Sequence, residues 1–170
     1  MVSTNLFSAI NSTLNSAKIL LSSIDNSIYI NKTVGPFYSS VGSHLRHSLD
    51  FFNCIIQGIV INEIDLTSRN RDESISNSIS AAEEEIDRIL NCLNRLDDSD
   101  LKKIILVHDD CGTGKIGIHY SLEGILAQGN SHAIHHYATI SYLLFNLDVK
   151  TEIKGFGYNP TTPIEKRVGA

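Results

Sequence analysis

The sequence has no tryptophan, one methionine, three prolines and only three cysteines. Cys54, Cys92 and Cys111 are odd in number and show no C-x-x-C spacing, so we expect neither a disulfide framework nor a thiolate zinc site. We interpret them as reduced thiols, two in the core and one in a loop. The apolar runs fall far short of the ~20 residues that a membrane span needs, and no positive charge precedes an apolar block at the N-terminus. These absences predict a cytoplasmic protein with no membrane partner.

The chain also lacks a basic surface. Its formal net charge is -5, and its few lysines and arginines are scattered along the sequence. Proteins that bind nucleic acid usually carry a clustered basic patch, so nucleic acid is not expected as a partner. Apolar residues make up 42% and charged residues 19% of the 170 residues. This ordinary globular composition and length predict a single domain over residues 1–170.

Apolar residues recur at helical spacing in four segments, which predicts four amphipathic helices. The predicted helices cover residues 6–28, 41–59, 75–96 and 121–147. Gly35-Pro36 separates the first two, and Ser39 or Ser40 can cap the second because a serine hydroxyl accepts a hydrogen bond from free backbone N–H groups.

The segments between these helices predict smaller elements. Two β-prone pieces, 104–107 and 116–120, flank a glycine-containing turn at 111–114 and predict a hairpin. Segment 62–74 is polar without a period and is expected to be a connection with turns of its own. The tail 148–170 is expected to be irregular and to fold back over one end of the helices. The fold class predicted is all-α: a four-helix bundle with a small β-hairpin between the third and fourth helices.

Histidines on the fourth predicted helix have the spacing of a metal-binding pair. His132 and His136 are four residues apart, so both imidazoles lie on one helix face and can share an ion. His136 also lies on the predicted apolar stripe, where burying an unpartnered imidazole would be costly. His135 lies about 100° around the helix from His136 and is expected at the rim. A third ligand from the second helix is either His44 or His47, which spacing alone does not distinguish.

Other patterns favour ordinary structure. Segment 110–116 resembles a phosphate loop, but Asp109 and Ile116 replace the glycine and the Ser or Thr of that motif, so a hairpin turn is predicted. We interpret His108 and its acidic neighbours as solvated turn residues. Neither E-x-x-H nor H-E-x-x-H occurs, which argues against a ferritin-like di-iron site and a zincin. Arg69 and Arg71 are interpreted as surface charges in a loop, although they could also clamp a substrate carboxylate.

Two segments together resemble a known family. Segment 40–50, which reads SVGSHLRHSLD, and segment 131–138, which reads SHAIHHYA, are similar to the DinB-like metalloenzyme family that includes the YfiT-type proteins. The lead-in SLE at 121–123 and the tail FGYNP at 156–160 are also similar to members of that family. The resemblance implies a four-helix bundle, often a homodimer, with a divalent metal held by one histidine of the second helix and an H-x-x-x-H pair of the fourth.

Transferred to this chain, the resemblance implies the metal ligands His47, His132 and His136, with His44 supporting the site or lining its pocket. Three neutral nitrogen ligands with open positions suit zinc, nickel or iron. Relatives include thiol-dependent transferases and isomerases, so a small-molecule substrate and a low-molecular-weight thiol are implied. Tyr137 or Arg71 would then orient the substrate. A metal-dependent hydrolase is a close variant, and a non-catalytic dimeric metal-binding or stress-response protein is the alternative from another class.

Overall fold

Four long helices, three short helices and a small sheet make up the described part of the chain. The computed structural model describes residues 2–163, with side chains from residue 5 onward. In chain order the elements are α1 (Val2–Ser23), α2 (Asn26–Tyr29), α3 (Val41–Ile59), β1 (Glu63–Asp65), α4 (Glu73–Asn77), α5 (Ile79–Leu93), α6 (Asp98–Leu101), β2 (Ile104–Asp110), β3 (Lys115–Ser121) and α7 (Leu122–Asn146).

The long helices α1, α3, α5 and α7 pack around one core. Both α1 and α3 contact α5 and α7, so the four helices form a ring in the order α1, α5, α3, α7. Side chains such as Leu14, Phe52, Ile86 and Ile140 are fully buried between them. Burying each such side chain stabilises the fold by about 1.5–3 kcal/mol. Within residues 2–163, none of the helices is both long and apolar enough to traverse a lipid bilayer.

Capping side chains set where several helices begin. The hydroxyl of Ser40 accepts a hydrogen bond from the backbone N–H of Ser43 and begins α3, as predicted. The caps at Asp25 and Ser78 were not anticipated, and each starts a new helix inside a segment predicted to be continuous. Segment 6–28 is therefore divided into α1 and α2, and segment 75–96 into α4 and α5. A side chain that bonds its own backbone offers the chain this alternative to an unbroken helix.

The predicted hairpin is present and belongs to a larger sheet. β2 and β3 pair antiparallel, and the Asp110 carboxylate accepts hydrogen bonds from the backbone N–H groups of Gly112 and Gly114 across the turn. On its other edge β2 pairs parallel with β1, which places Ile64 opposite Val107. A strand thus lies in segment 62–74, and the fold is mostly helical with a three-stranded sheet instead of all-α.

Within residues 150–160, the tail after α7 runs back beside α1 and α7. Phe156 is buried and stacks on Tyr137, with ring centroids 4.8 Å apart. Gly157 has a φ of 74°, and a Cβ there would lie 2.7 Å from the backbone nitrogen of Ala138. Only glycine allows this backbone to lie directly on α7.

The three cysteines are unpaired. Cys54 is buried in α3, Cys92 is half-buried in α5 and Cys111 is exposed at the hairpin turn. This distribution agrees with the interpretation of all three as free thiols.

Candidate metal centre

Three histidines from two helices converge where α3 contacts α7. His47 lies on α3, and His132 and His136 lie one turn apart on α7. One ring nitrogen of each can be chosen so that all three lie within 4.8 Å of one another. A tetrahedral ion with metal–nitrogen bonds of about 2.1 Å separates its ligand nitrogens by about 3.4 Å. Small rotations of the three rings would therefore bring them to one ion.

The face of α7 that carries two of these histidines differs from the predicted one. Its buried stripe passes through Ala133, Tyr137 and Ile140, and Tyr137 is only 1% exposed. His132 and His136 are half-buried on the flank toward α3. The prediction that His136 occupies a core position was therefore wrong by one residue. The flank position leaves part of each ring accessible, as a metal site with open coordination positions requires.

The environment of His132 indicates that one of its ring nitrogens lacks a bonding partner. Its Nε2 is buried and has no hydrogen-bond partner among the described residues. Leaving a buried polar atom unsatisfied costs about 1–3 kcal/mol. The ring packs against Phe51, with centroids 5.0 Å apart, so an apolar side chain covers that side of it. Three imidazole nitrogens suit zinc, nickel or iron(II), and the residues present fit such an ion.

His136 is oriented by a hydrogen-bonded chain on its other side. Its Nδ1 lies 3.1 Å from Nδ1 of His44, and Nε2 of His44 lies 2.7 Å from the hydroxyl of Ser39. Since Nδ1 of His136 is engaged, Nε2 is the nitrogen left for a ligand. Metal-binding histidines commonly use their second nitrogen in this way. The structure thus places His47 in the triad and His44 in a supporting position.

Arg69 lies against the ring of His47. Its Nη1 is 3.0 Å from Nδ1 and 3.3 Å from Nε2 of that histidine, and its Nε donates a hydrogen bond of 2.9 Å to the carbonyl of Leu66. The backbone N–H of Leu66 in turn donates to the carbonyl of His108 on β2. The parallel pairing of β1 with β2 therefore positions the loop that carries Arg69 beside the triad. The sequence favoured a surface charge for Arg69, with a carboxylate clamp as the alternative, and did not predict its contact with His47.

Burial keeps the histidines of the site neutral. It lowers the pKa of His47 to about 4, with the positive charge of Arg69 as the second cause, and the pKa of His136 to about 3, with the neighbouring histidines adding to the effect. Burial also lowers the pKa of His44 and of His132. All four rings are therefore uncharged at pH 7, which is the state that binds a metal.

A solved structure shares this architecture. It is a DinB-like protein, YjoA, from Bacillus subtilis, with a TM-score of 0.62 and 17% sequence identity over 92% of this chain and 99% of that chain. This chain has a DinB-like fold. No family model matches the sequence, and no curated protein matches it at a significant level.

The other residues that the sequence suggested for the site lie outside the triad. His135 is exposed at the rim, as predicted, and its ring centroid lies 5.4 Å from that of His136. Tyr137 is in the core against Phe156, so a role in orienting substrate is not supported. His108 lies on strand β2 and not in the hairpin turn as predicted, and its half-buried side chain pairs with Glu63 at 2.8 Å.

Proposed function

We propose that this chain is a four-helix-bundle metalloprotein that binds one zinc, nickel or iron(II) ion through His47, His132 and His136. The observation that carries the proposal is the convergence of three neutral imidazoles from α3 and α7, one with a buried nitrogen that has no partner. The two helices are fixed by the core on either side of the site. Ligands held on rigid helices favour metal binding, because little conformational entropy is lost when the ion binds.

We further propose that the site performs thiol-dependent, transferase-like chemistry in the cytoplasm. A divalent metal bound there would lower the pKa of a coordinated thiol or water and so supply a nucleophile at neutral pH. The partial exposure of the triad, the cation of Arg69 beside it and the DinB-like fold support a site that admits a small molecule. A hydrolase would use the same residues with water in place of the thiol.

A non-catalytic, homodimeric metal-binding protein is the second candidate, and exposed apolar side chains favour it. Phe37 and Tyr38 are 82% and 65% exposed, and Val60 and Ile61 at the end of α3 are 83% and 70% exposed. Exposed apolar patches often mark association surfaces. Light scattering would report the dimer, and the turnover assay below separates this candidate from an enzyme.

Metal analysis tests the site. Protein purified without a histidine tag should hold close to one transition metal per chain, and His136→Ala should lose it. The matched control is His119→Ala, which removes an exposed histidine of β3 and should retain the metal. Wild-type protein that is metal-free and resists reconstitution would exclude the proposed centre.

Turnover is tested with a panel of cellular thiols and an electrophilic acceptor. Conjugation should depend on the metal and disappear with His136→Ala. Metal-loaded protein that is inactive with every thiol, and with ester and amide substrates, would favour the non-catalytic candidate.

A further inference from the structure

The guanidinium of Arg69 is a partly buried cation that has no anionic partner among the side chains that the structure describes. No carboxylate within residues 5–163 lies within 4.0 Å of its nitrogens. Its Nε is used by the carbonyl of Leu66 and its Nη1 by the ring of His47. Charges that are removed from water are normally paired, so the absence of a counterion beside the triad requires an explanation.

The nearby acidic residue does not provide that counterion. Asp50 is 3% exposed and is bound by Arg46, whose Nε also donates to the hydroxyl of Ser76 at 2.9 Å. Asp50 therefore forms its ion pair with Arg46, and the charge of Arg69 acts on its carboxyl only at longer range. Arg71, in the same loop as Arg69, is exposed and adds a second positive charge. This side of the triad is cationic before any metal is considered.

Metal binding would also remove the acceptor that Arg69 now uses. A neutral imidazole has a proton on one nitrogen and a lone pair on the other. If a metal takes the lone pair of His47, neither ring nitrogen can accept a hydrogen bond from Nη1. Arg69 would then have a free donor group next to a divalent cation, and both charges would attract the same anion.

We propose, on the basis of the proposed metal site, that Arg69 binds the carboxylate of a small molecule that occupies the centre. The guanidinium attracts an anion, and its planar pair of donors matches the geometry of a carboxylate. The thiol cosubstrate or its acceptor therefore carries a carboxylate close to the reacting group. Arg69 is a positioning residue for this ligand and is not a ligand of the metal.

The proposal is tested by binding, without turnover. Protein loaded with Co²⁺ is titrated with 3-mercaptopropionate and with the neutral 3-mercaptopropionamide, and the thiolate-to-cobalt absorption band gives both dissociation constants. The ratio of the two constants is compared in wild type, Arg69→Gln, Arg69→Lys and Arg95→Gln, the last an exposed arginine of a loop after α5. Circular dichroism and the cobalt stoichiometry confirm that each variant is folded and loaded.

The expected result is a preference for the carboxylate that falls by at least about tenfold in Arg69→Gln, since a hydrogen bond to a charged group contributes that much. Arg69→Lys keeps the charge and should keep part of the preference, and Arg95→Gln should equal wild type. An unchanged ratio in Arg69→Gln, or equal loss in the glutamine and lysine variants, would overturn the proposal. Failure of wild type to bind cobalt would instead overturn the metal site itself.

Discussion

Replacing His132 by leucine should stabilise the metal-free protein and abolish its response to metal. In the wild type, Nε2 of His132 is buried without a partner, and the ring lies against Phe51. Leucine has a similar volume, has no polar atom to satisfy and packs well on an aromatic ring. The substitution therefore removes a penalty in the metal-free state and removes a ligand from the metal-bound state.

The substitution should raise the stability of the metal-free protein and remove the extra stability that a bound metal provides. An unsatisfied buried nitrogen costs about 1–3 kcal/mol, and 1 kcal/mol shifts the melting temperature of a chain of this size by about 2–4 °C. The metal-free variant should melt roughly 2–12 °C above the metal-free wild type. Saturating wild type with metal at one hundred times its dissociation constant adds about 2.7 kcal/mol. Metal should therefore raise the melting temperature of the wild type by roughly 5–11 °C and leave the variant unchanged.

Thermal denaturation followed by circular dichroism, with a chelator or with Zn²⁺, checks both effects. His119→Leu, an identical substitution at an exposed position of β3, serves as the control and should keep the metal response. Lower stability of metal-free His132→Leu than of metal-free wild type, or stabilisation of the variant by Zn²⁺, would contradict this role of His132.

Three further results are expected. Because burial lowers the pKa of His47 to about 4 and of His136 to about 3, the unfolded chain binds more protons between about pH 6.5 and pH 4. Urea midpoints of metal-free protein should therefore fall as the pH drops through this window, and a flat profile would contradict the burial of these rings. His44→Phe removes the hydrogen bond to His136 and should weaken metal affinity by about 10–100-fold without changing the stoichiometry; competition with a chromophoric chelator measures this, and unchanged affinity would show that His44 does not orient the ligand. Gly157→Ala places a Cβ 2.7 Å from the backbone of Ala138 at a positive φ and should destabilise the protein by more than about 1 kcal/mol; a melting temperature equal to wild type would show that the tail does not pack there.

The periodicity of apolar residues was sufficient to predict the four long helices, because each helix buries one face in a shared core. The periodicity did not predict the breaks within segments 6–28 and 75–96. Asp25 and Ser78 interrupt segments whose apolar spacing continues through the break, and only the packing of the folded chain decides between a cap and a continued helix. β1 was missed because three residues carry no alternation, and its parallel partner follows about forty residues later.

The candidate site was predictable to a different degree at each residue. The spacing of His132 and His136 indicated a pair on one helix face, whereas the choice of His47 over His44 rested on family resemblance. The apolar stripe suggested a core position for His136, yet Tyr137 takes that position and stacks on Phe156 from the tail. The sequence offered Arg69 as a possible carboxylate clamp, but its position beside His47 could not be predicted, because that position depends on the pairing of β1 with β2.

The placement of the histidines also bears on how the chain would be held together. His47 and His132 enclose a loop of about 85 residues, and a metal bound to both would join the ends of that loop as a disulfide does. A permanent cross-link of this length restricts the unfolded chain by roughly 4–5 kcal/mol. Unlike a disulfide, the link would open on chelation and would not be cleaved by reduction. A chain with three free cysteines would thus have a reversible staple between α3 and α7 in a reducing environment, where a sulfur bridge would not persist.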